Sequence, residues 1–313
     1  MNGSKKVSVI LAVYNGSQYI EEQLDSIRLQ TQKPDEVIIV DDCSTDDSFN
    51  LIKTYISNYG LNNWNVYQNE VNIGWRCNFK KLFLQQAHGE VIFPCDQDDI
   101  WRLDKIEKMM NAIENNPDAD VVACLVKPFY EKGGKKIKQT HTTESKMGGD
   151  ICRKSDFDSE FLYVKRPGCA YAVKRDFVQE IAQFWSDRFA HDGILWRFAT
   201  LKGTLYCYEE PLVYFRRHSD NATNKRAIHS RERLDELGML KELLCSAMDY
   251  MKKIKKNSSM AKQLSEMEFW FTSRTDFISK KSLFKPLASM FKYKKYYSTK
   301  SGIFADLIAR WNM

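Results

Sequence analysis

Through residue 125 the chain alternates short unbroken apolar runs with stretches whose apolar positions recur at helical spacing. Val7 to Val13 is a β-branched run that predicts a buried strand, closed by the turn Tyr14-Asn15-Gly16-Ser17. Ser17 is placed to cap a helix from Gln18 to Leu29. After the breaker Lys33-Pro34-Asp35 the unit repeats: Glu36 to Val40 reads as a strand, the acidic turn from Asp41 to Asp47 follows, and a helix runs to about Asn58. A third strand is expected over Trp64–Gln68, a helix over Arg76–His88, and a fourth strand from Val91. Leu103 to Asn115 has helical spacing, and Asp120 to Leu125 is a fifth strand.

Strands that alternate with helices in this way imply an α/β fold, a Rossmann-like, mostly parallel sheet with right-handed crossovers and helices on both faces. In such a sheet the turns after the first, second and fourth strands open on one edge, where ligands bind. Asn15, Asp42 and the acids after Val91 are therefore expected to line one crevice. Those acids are the densest chemical feature of the chain: Asp96, Asp98 and Asp99 fall within four positions at a strand end. Like charges this close repel, and an oxygen-seeking cation such as Mg²⁺ or Mn²⁺ offsets them best. The plain alternative is an acidic loop. An EF-hand is excluded, because the sixth position from Asp96 is Trp101 where that loop needs glycine.

Beyond residue 125 the pattern weakens. Lys127 to Asp150 is rich in Lys, Gly and Thr and reads as a loop, either a plain insertion or an active-site flap. A strand entered through a turn follows at Pro167–Val173, then helices at Arg175–Trp185 and Ile194–Leu201, and strands at Thr204–Tyr208 and Leu212–His218. The leucines at 234, 237, 240, 243 and 244 predict an amphipathic helix over Ser230–Met251.

At 313 residues, with 43% hydrophobic and 28% charged positions, the chain suits one main domain with an appendage. No apolar run approaches the ~20 residues of a membrane span. The N-terminal residues enter the first strand without a signal-peptide core, so the cytoplasm is the expected compartment. Eight scattered cysteines show no zinc or redox spacing and read as reduced thiols. The net charge of +6 is uneven: residues 225–313 carry about 19 basic and 9 acidic side chains, leaving the rest roughly −4. No GxGxxG, Walker loop or HExxH occurs.

With these residues in place, the chain from about Val7 to Asn224 resembles the family 2 glycosyltransferases of GT-A fold. Val9 to Gly16 matches that family's opening strand and turn, Val40 to Asp46 its second, Asn72-Ile73-Gly74 with Asn78 its Asn-x-Gly loop, and Asp96-Gln97-Asp98 its Asp-x-Asp motif. His191-Asp192 and Tyr214-Phe215-Arg216-Arg217-His218 with Asn221 resemble the rhamnosyltransferase-like branch of capsule and O-antigen synthesis. Gly193-Ile194 departs from that branch, where bulky aromatic residues usually follow the His-Asp pair, so acceptor specificity does not transfer.

The resemblance implies an inverting, metal-dependent transfer of a sugar from a UDP- or dTDP-sugar to a saccharide acceptor, including a lipid-linked one. Ala12, Tyr14, Asn15, Asp42, Asn72, Gly74 and Asp96 would bind the nucleotide sugar, with Arg216 and Arg217 supplying donors to its phosphates. Asp98, with Asp96, Asp99 and His218, would hold Mn²⁺ or Mg²⁺, and Asp192 would be the general base, its alternative being a helix cap before Ile194. Gly168, Trp101 and His191 are the acceptor-side candidates, although Trp101, Trp185 and Trp196 read more readily as core than as sugar platforms. The arginines read equally as a solvated strand end.

The domain reading is a GT-A domain over 1–224, with a nucleotide-sugar half to 125 and an acceptor half at 151–224, then a helical, basic, aromatic-rich region at 225–313. Interleaved lysines and aromatics in that region suit an anionic membrane surface at the inner face of the cell membrane; a nucleic-acid partner lacks a recognition motif, and packing on the main domain or on a second subunit is the other reading. Two functional classes compete with the transferase: a sugar-phosphate nucleotidyltransferase, which would open with a Gly-rich basic loop unlike Tyr14 to Ser17, and a non-catalytic sugar-binding module, which would not need three acids at one strand end.

Overall fold

The structure is a computed structural model that describes residues 5–131, 151–218, 230–255, 258–297 and 301–311. Most of the expected loop at Lys127–Asp150, and Asn221, lie outside these residues. The chain divides into two units: Met1–Ser155, Lys165–Ala199 and Thr204–Asn221 form the first, and Asp156–Val164, Thr200–Gly203 and Ala222–Met313 the second.

The first unit is an α/β sheet. Its opening strands β1 (Val7–Val13), β2 (Glu36–Asp41), β3 (Trp64–Gln68) and β4 (Val91–Cys95) are separated by helices α1 (Ile20–Arg28), α2 (Ser48–Asn58) and α3 (Trp75–Lys81). These four strands are mutually parallel in the order β3-β2-β1-β4, because each helical crossover returns the chain to the same end of the sheet. Val7, Val9, Ile10, Leu11, Ile39 and Phe93 are fully buried, as continuous apolar strands between helical layers must be. Ser17 does not cap α1; its amide instead donates to Asp46 Oδ2 at 3.0 Å, and the helix starts two residues later on the Gly16 carbonyl. The expected Arg76–His88 helix divides into α3 and a wide π turn at Leu82–Gln86.

The second half of the sheet mixes directions. A two-residue strand β5 (Ile100–Trp101) follows the acidic turn, then α4 (Lys105–Asn115), β6 (Val121–Tyr130), β7 (Cys152–Lys154), β8 (Tyr171–Lys174), α5 (Arg175–Ile181), α6 (His191–Lys202) and β9 (Leu205–Arg217). Strand β8 joins the two halves antiparallel to both β4 and β6, while β9 runs parallel to β6. Two readings are corrected here. Strand β6 continues five residues past Leu125, and the two strands expected around Pro211 are one, β9. Pro211 interrupts the pairing only as an irregularity opposite Leu125, where the register shifts and a missing N–H is tolerated. This long strand carries the site, since β5 pairs with it antiparallel (Ile100 opposite Tyr214) and so draws the acids after β4 to the end of β9.

The second unit is helical: α7 (Ser230–Lys253), α8 (Ser258–Ile278), α9 (Phe284–Lys292) and α10 (Ser301–Trp311). Leu237, Leu243 and Leu244 of the predicted stripe are buried, with Trp270, Phe271 and Met290. A fully buried Asp306 is held by Arg274 (2.6 and 3.0 Å), by Arg233 (3.1 Å) and by the Tyr297 hydroxyl (2.7 Å). None of the described helices is long and apolar enough to cross a membrane.

Candidate active site

Three turns of the sheet are tied together by two side chains, Gln97 and Asn15. The Tyr14 amide donates to Gln97 Oε1 at 2.8 Å, and Gln97 Nε2 donates to the Tyr14 carbonyl at 3.0 Å. The middle residue of Asp-x-Asp therefore pairs with the backbone after β1 as a strand neighbour would. Gly16 makes room for it, because a Cβ there would lie 2.6 Å from Gln97 Oε1. Asn15, at φ 49°, receives the Thr45 amide on its side-chain oxygen (2.8 Å) while its own amide donates to Ser44 (2.9 Å), joining the β1 turn to the β2 turn.

The two aspartates that end β2 divide their work. Asp41 holds its own turn, accepting the Ser44 amide (2.9 Å) and the Gln68 side chain (3.0 Å). Asp42 accepts from Asn69 (2.8 Å) and from the backbone amides of Ile73 (3.0 Å) and Gly74 (2.8 Å), where Asn72 also accepts the Gly74 amide (3.0 Å). Gly74 takes φ 81°, which a side chain would resist. Asp42, Asn72 and Gly74 thus come together as a closed loop, in which three of the carboxylate's roughly four lone-pair positions are engaged.

At the acidic turn the three aspartates part ways. Asp98 Oδ2 meets His218 Nε2 at 2.9 Å, across 120 residues of chain. Asp99 points inward and is fully buried, its Oδ1 accepting the Arg216 amide at 3.1 Å. One ligand atom from each of Asp96, Asp99 and Cys169 lies within 4.8 Å of the others. Burial, then the Asp98 and Asp96 charges, push the Asp99 carboxyl well up; burial, Asp98 and Asp192 raise Asp96 to about 7. Lys105 sits beneath this cluster, fully buried, donating to the Cys169 carbonyl at 2.8 Å with its ammonium 3.2 Å from the Trp101 ring centroid.

A carboxylate oxygen and an imidazole nitrogen converging from two elements suit Mn²⁺ or Mg²⁺, whereas the Asp99–Cys169 side offers a soft thiol and an already engaged carboxylate. The donor set therefore fits a hard divalent cation at Asp98 and His218, with Asp96 beside them.

Arg216 differs from the expected phosphate ligand. Its guanidinium bonds to Glu22 and Glu131, and its Nε donates to the Asp98 carbonyl at 2.9 Å, so it braces the acidic turn. Tyr19 closes this brace: its ring lies 5.0 Å from that of His218, and its hydroxyl donates to Glu131 at 2.8 Å. Arg217 is buried alongside, with its guanidinium 5.5 Å from the Phe215 ring centroid. Ala12 is half-buried on β1 opposite Val40.

The acceptor-side candidates are also corrected. Trp101, Trp185 and Trp196 are core residues, and a buried ring offers no face to a sugar. His191 is packed against Phe79 (centroids 4.1 Å apart) and Phe83 (5.9 Å), and burial lowers its pKa to about 4, so it is neutral. Gly168 leaves room for that packing: a Cβ would stand 1.9 Å from His191 Nε2. Asp192 falls inside the first turn of α6, which begins at His191, and among the described residues its carboxylate accepts no hydrogen bond. Its charge acts on Asp96, which puts it beside the acidic turn. Trp75, overlooked in the sequence, is partly exposed and stands edge-on to His191 at 6.3 Å.

Comparison with known proteins places this architecture. The model of glycosyl transferase family 2 matches residues 8–180. A dTDP-rhamnosyl transferase, RfbG, of Shigella flexneri is 27% identical over 242 residues, covering 74% of this chain and 79% of the relative. Among solved structures, S. aureus TarS 1–349 in complex with UDP-GlcNAc superposes with a TM-score of 0.65 at 16% identity, over 98% of this chain and 89% of that one. The mannosyltransferase PcManGT from Pyrobaculum calidifontis, in complex with GDP-Man and Mn²⁺, gives 0.54 at 15% identity, over 99% and 88%. At these identities the two solved structures share the fold.

Proposed function

The chain belongs to glycosyltransferase family 2, and on that premise we propose that it is an inverting, metal-dependent transferase moving a sugar from a nucleoside diphosphate to a saccharide acceptor. The observation that carries the proposal is the 2.9 Å approach of Asp98 to His218, which joins the Asp-x-Asp motif to the end of β9. Asp98 and His218 would hold the cation, with Asp96 adjacent; when bound, Mn²⁺ or Mg²⁺ offsets the charge that develops on the departing diphosphate. Among the relatives, the dTDP-rhamnosyl transferase supports dTDP-rhamnose as the first donor to try, ahead of UDP-sugars. A lipid-linked acceptor, and a part in surface-polysaccharide assembly at the inner membrane face, complete the reading.

The residues then take these roles. The loop clamped by Asp42, Asn72 and Gly74 would border the nucleobase, with Asp42 using its remaining lone pair or opening the loop to accept the base N–H. Tyr14 and Asn15 would bound the ribose. Asp192 would accept the proton of the acceptor hydroxyl as that oxygen bonds to the anomeric carbon and the anomeric carbon–diphosphate bond breaks, inverting the centre. Proton transfer and bond formation would be concerted. Trp75, the exposed ring beside His191, replaces Trp101 as the candidate platform for a sugar.

A thermal-shift panel of nucleotide sugars with Mn²⁺, followed by turnover assays, tests the proposal. Asp192→Asn should still bind the nucleotide and lose turnover by roughly 10²- to 10⁴-fold. Full turnover in that variant would remove Asp192 as the base, and no stabilisation by any nucleotide sugar would remove the donor class.

A further inference from the structure

Helix α10 is packed inside out. Its buried positions are Asp306 and Ala309, while Phe304, Ile308 and Trp311, spaced to share one face, are 64%, 52% and 81% exposed. A helix on a soluble domain ordinarily turns its apolar stripe inward. This one cannot roll over to do so, because Asp306 is locked by Arg233, Arg274 and Tyr297 and a rotation would leave those charges buried and unpaired. Helix α9 repeats the arrangement: Phe284 and Phe291 stand exposed two turns apart, and Pro286, Ser289 and Met290 are buried.

The charge around these stripes is of one sign. Between Asp276 and Asp306 the sequence holds seven lysines and no carboxylate. Lys280, Lys281, Lys285, Lys292, Lys294 and Lys295 are exposed, and among the described residues only Lys295 of these meets an acid, Glu266 at 3.4 Å. A second copy of the chain would bring a like-charged surface to the same place. Exposed apolar faces on two short helices, with exposed lysines on α9 and on the segments flanking it, match instead the interface of a bilayer with anionic headgroups.

We infer that α9 and α10 dock the protein on an anionic lipid surface, the stripes Phe284/Phe291 and Phe304/Ile308/Trp311 entering the headgroup region while the lysines meet lipid phosphates. The helices have 9 and 11 residues and lie on the surface without crossing it. This docking is independent of the transferase reading, since none of its residues belongs to the candidate active site.

Vesicle flotation of the full chain tests the inference, with phosphatidylcholine alone and with about 30 mol% phosphatidylglycerol. The chain should float only with the anionic vesicles. Combined Phe304→Ser, Ile308→Ser and Trp311→Ser should cut the bound fraction roughly tenfold, and Lys281→Glu with Lys285→Glu and Lys292→Glu should do the same. Donor turnover in solution should stay at the wild-type rate in both variants, which shows that they fold. Flotation unchanged by the apolar substitutions, equal flotation on neutral vesicles, or stripe-dependent self-association in sedimentation velocity without lipid would each overturn it.

Discussion

Asp98 and Asp99 are adjacent in the chain and identical in chemistry, yet β5 sends one to His218 and the other into the core against the Arg216 amide. That division explains why a run of acids can end a strand: one carboxylate meets an imidazole, and another is buried with one oxygen on the Arg216 amide, where burial and its acidic neighbours push it toward the neutral form. Gly168 shows the same dependence on a distant partner, since its value lies in the side chain it lacks. Gly168→Ala forces a methyl into the His191 ring, and the cost of overpacking should be at least about 1–3 kcal/mol, read as a lowered urea midpoint. His191→Ala in the same background should restore part of that loss; if Gly168→Ala alone leaves the midpoint unchanged, the imidazole does not occupy that space.

Among the elements, those set by local pattern were legible in the sequence and those set by pairing were not. β1 falls where its apolar run predicts it, because a buried parallel strand needs such a run, and the edge strand β3 falls on Trp64–Gln68 as expected although only Trp64 is buried. The full extents of β6 and β9 escaped because Lys127-Pro128 and Glu209-Glu210-Pro211 look like breakers, although each strand supports the other through a register shift. β5, at two residues, carries no periodicity, yet it delivers the acids to β9. For the same reason the turns of Asn15, Asp42 and Asp98 could be placed at one end of the sheet, while Gln97, which joins the first to the last, and Tyr19 and Glu131, which meet beside Arg216, could not be foreseen. In the second unit the buried Asp306 is the corresponding tie between α7, α8 and α10. Asp306→Ala leaves Arg233 and Arg274 without their carboxylate and should destabilise that unit by about 3–5 kcal/mol, measured by amide hydrogen exchange in α7 and α8. Unchanged protection there would mean that the ion cluster does not hold the helices.

For the molecule as a whole, a family 2 sheet brings the turns after β1, β2 and β4 to one end of its parallel strands, and a helical unit presents lysines and apolar stripes to solvent. The two are separable in experiment, because substitutions on α9 and α10 address docking, and substitutions at the β4 turn address chemistry. On the proposed function, Asp98 and His218, brought together by the β5–β9 pair, would grip a divalent cation and through it a nucleoside diphosphate. Calorimetric titration of dTDP and UDP with and without Mn²⁺ addresses it directly, comparing wild type with Asp98→Asn and His218→Ala. The account predicts that binding of at least one nucleotide is strengthened by Mn²⁺ at least roughly tenfold, and that each substitution abolishes the gain while leaving the metal-free affinity as it was. Nucleotide affinity that is indifferent to Mn²⁺, or a metal gain that survives both substitutions, would contradict it.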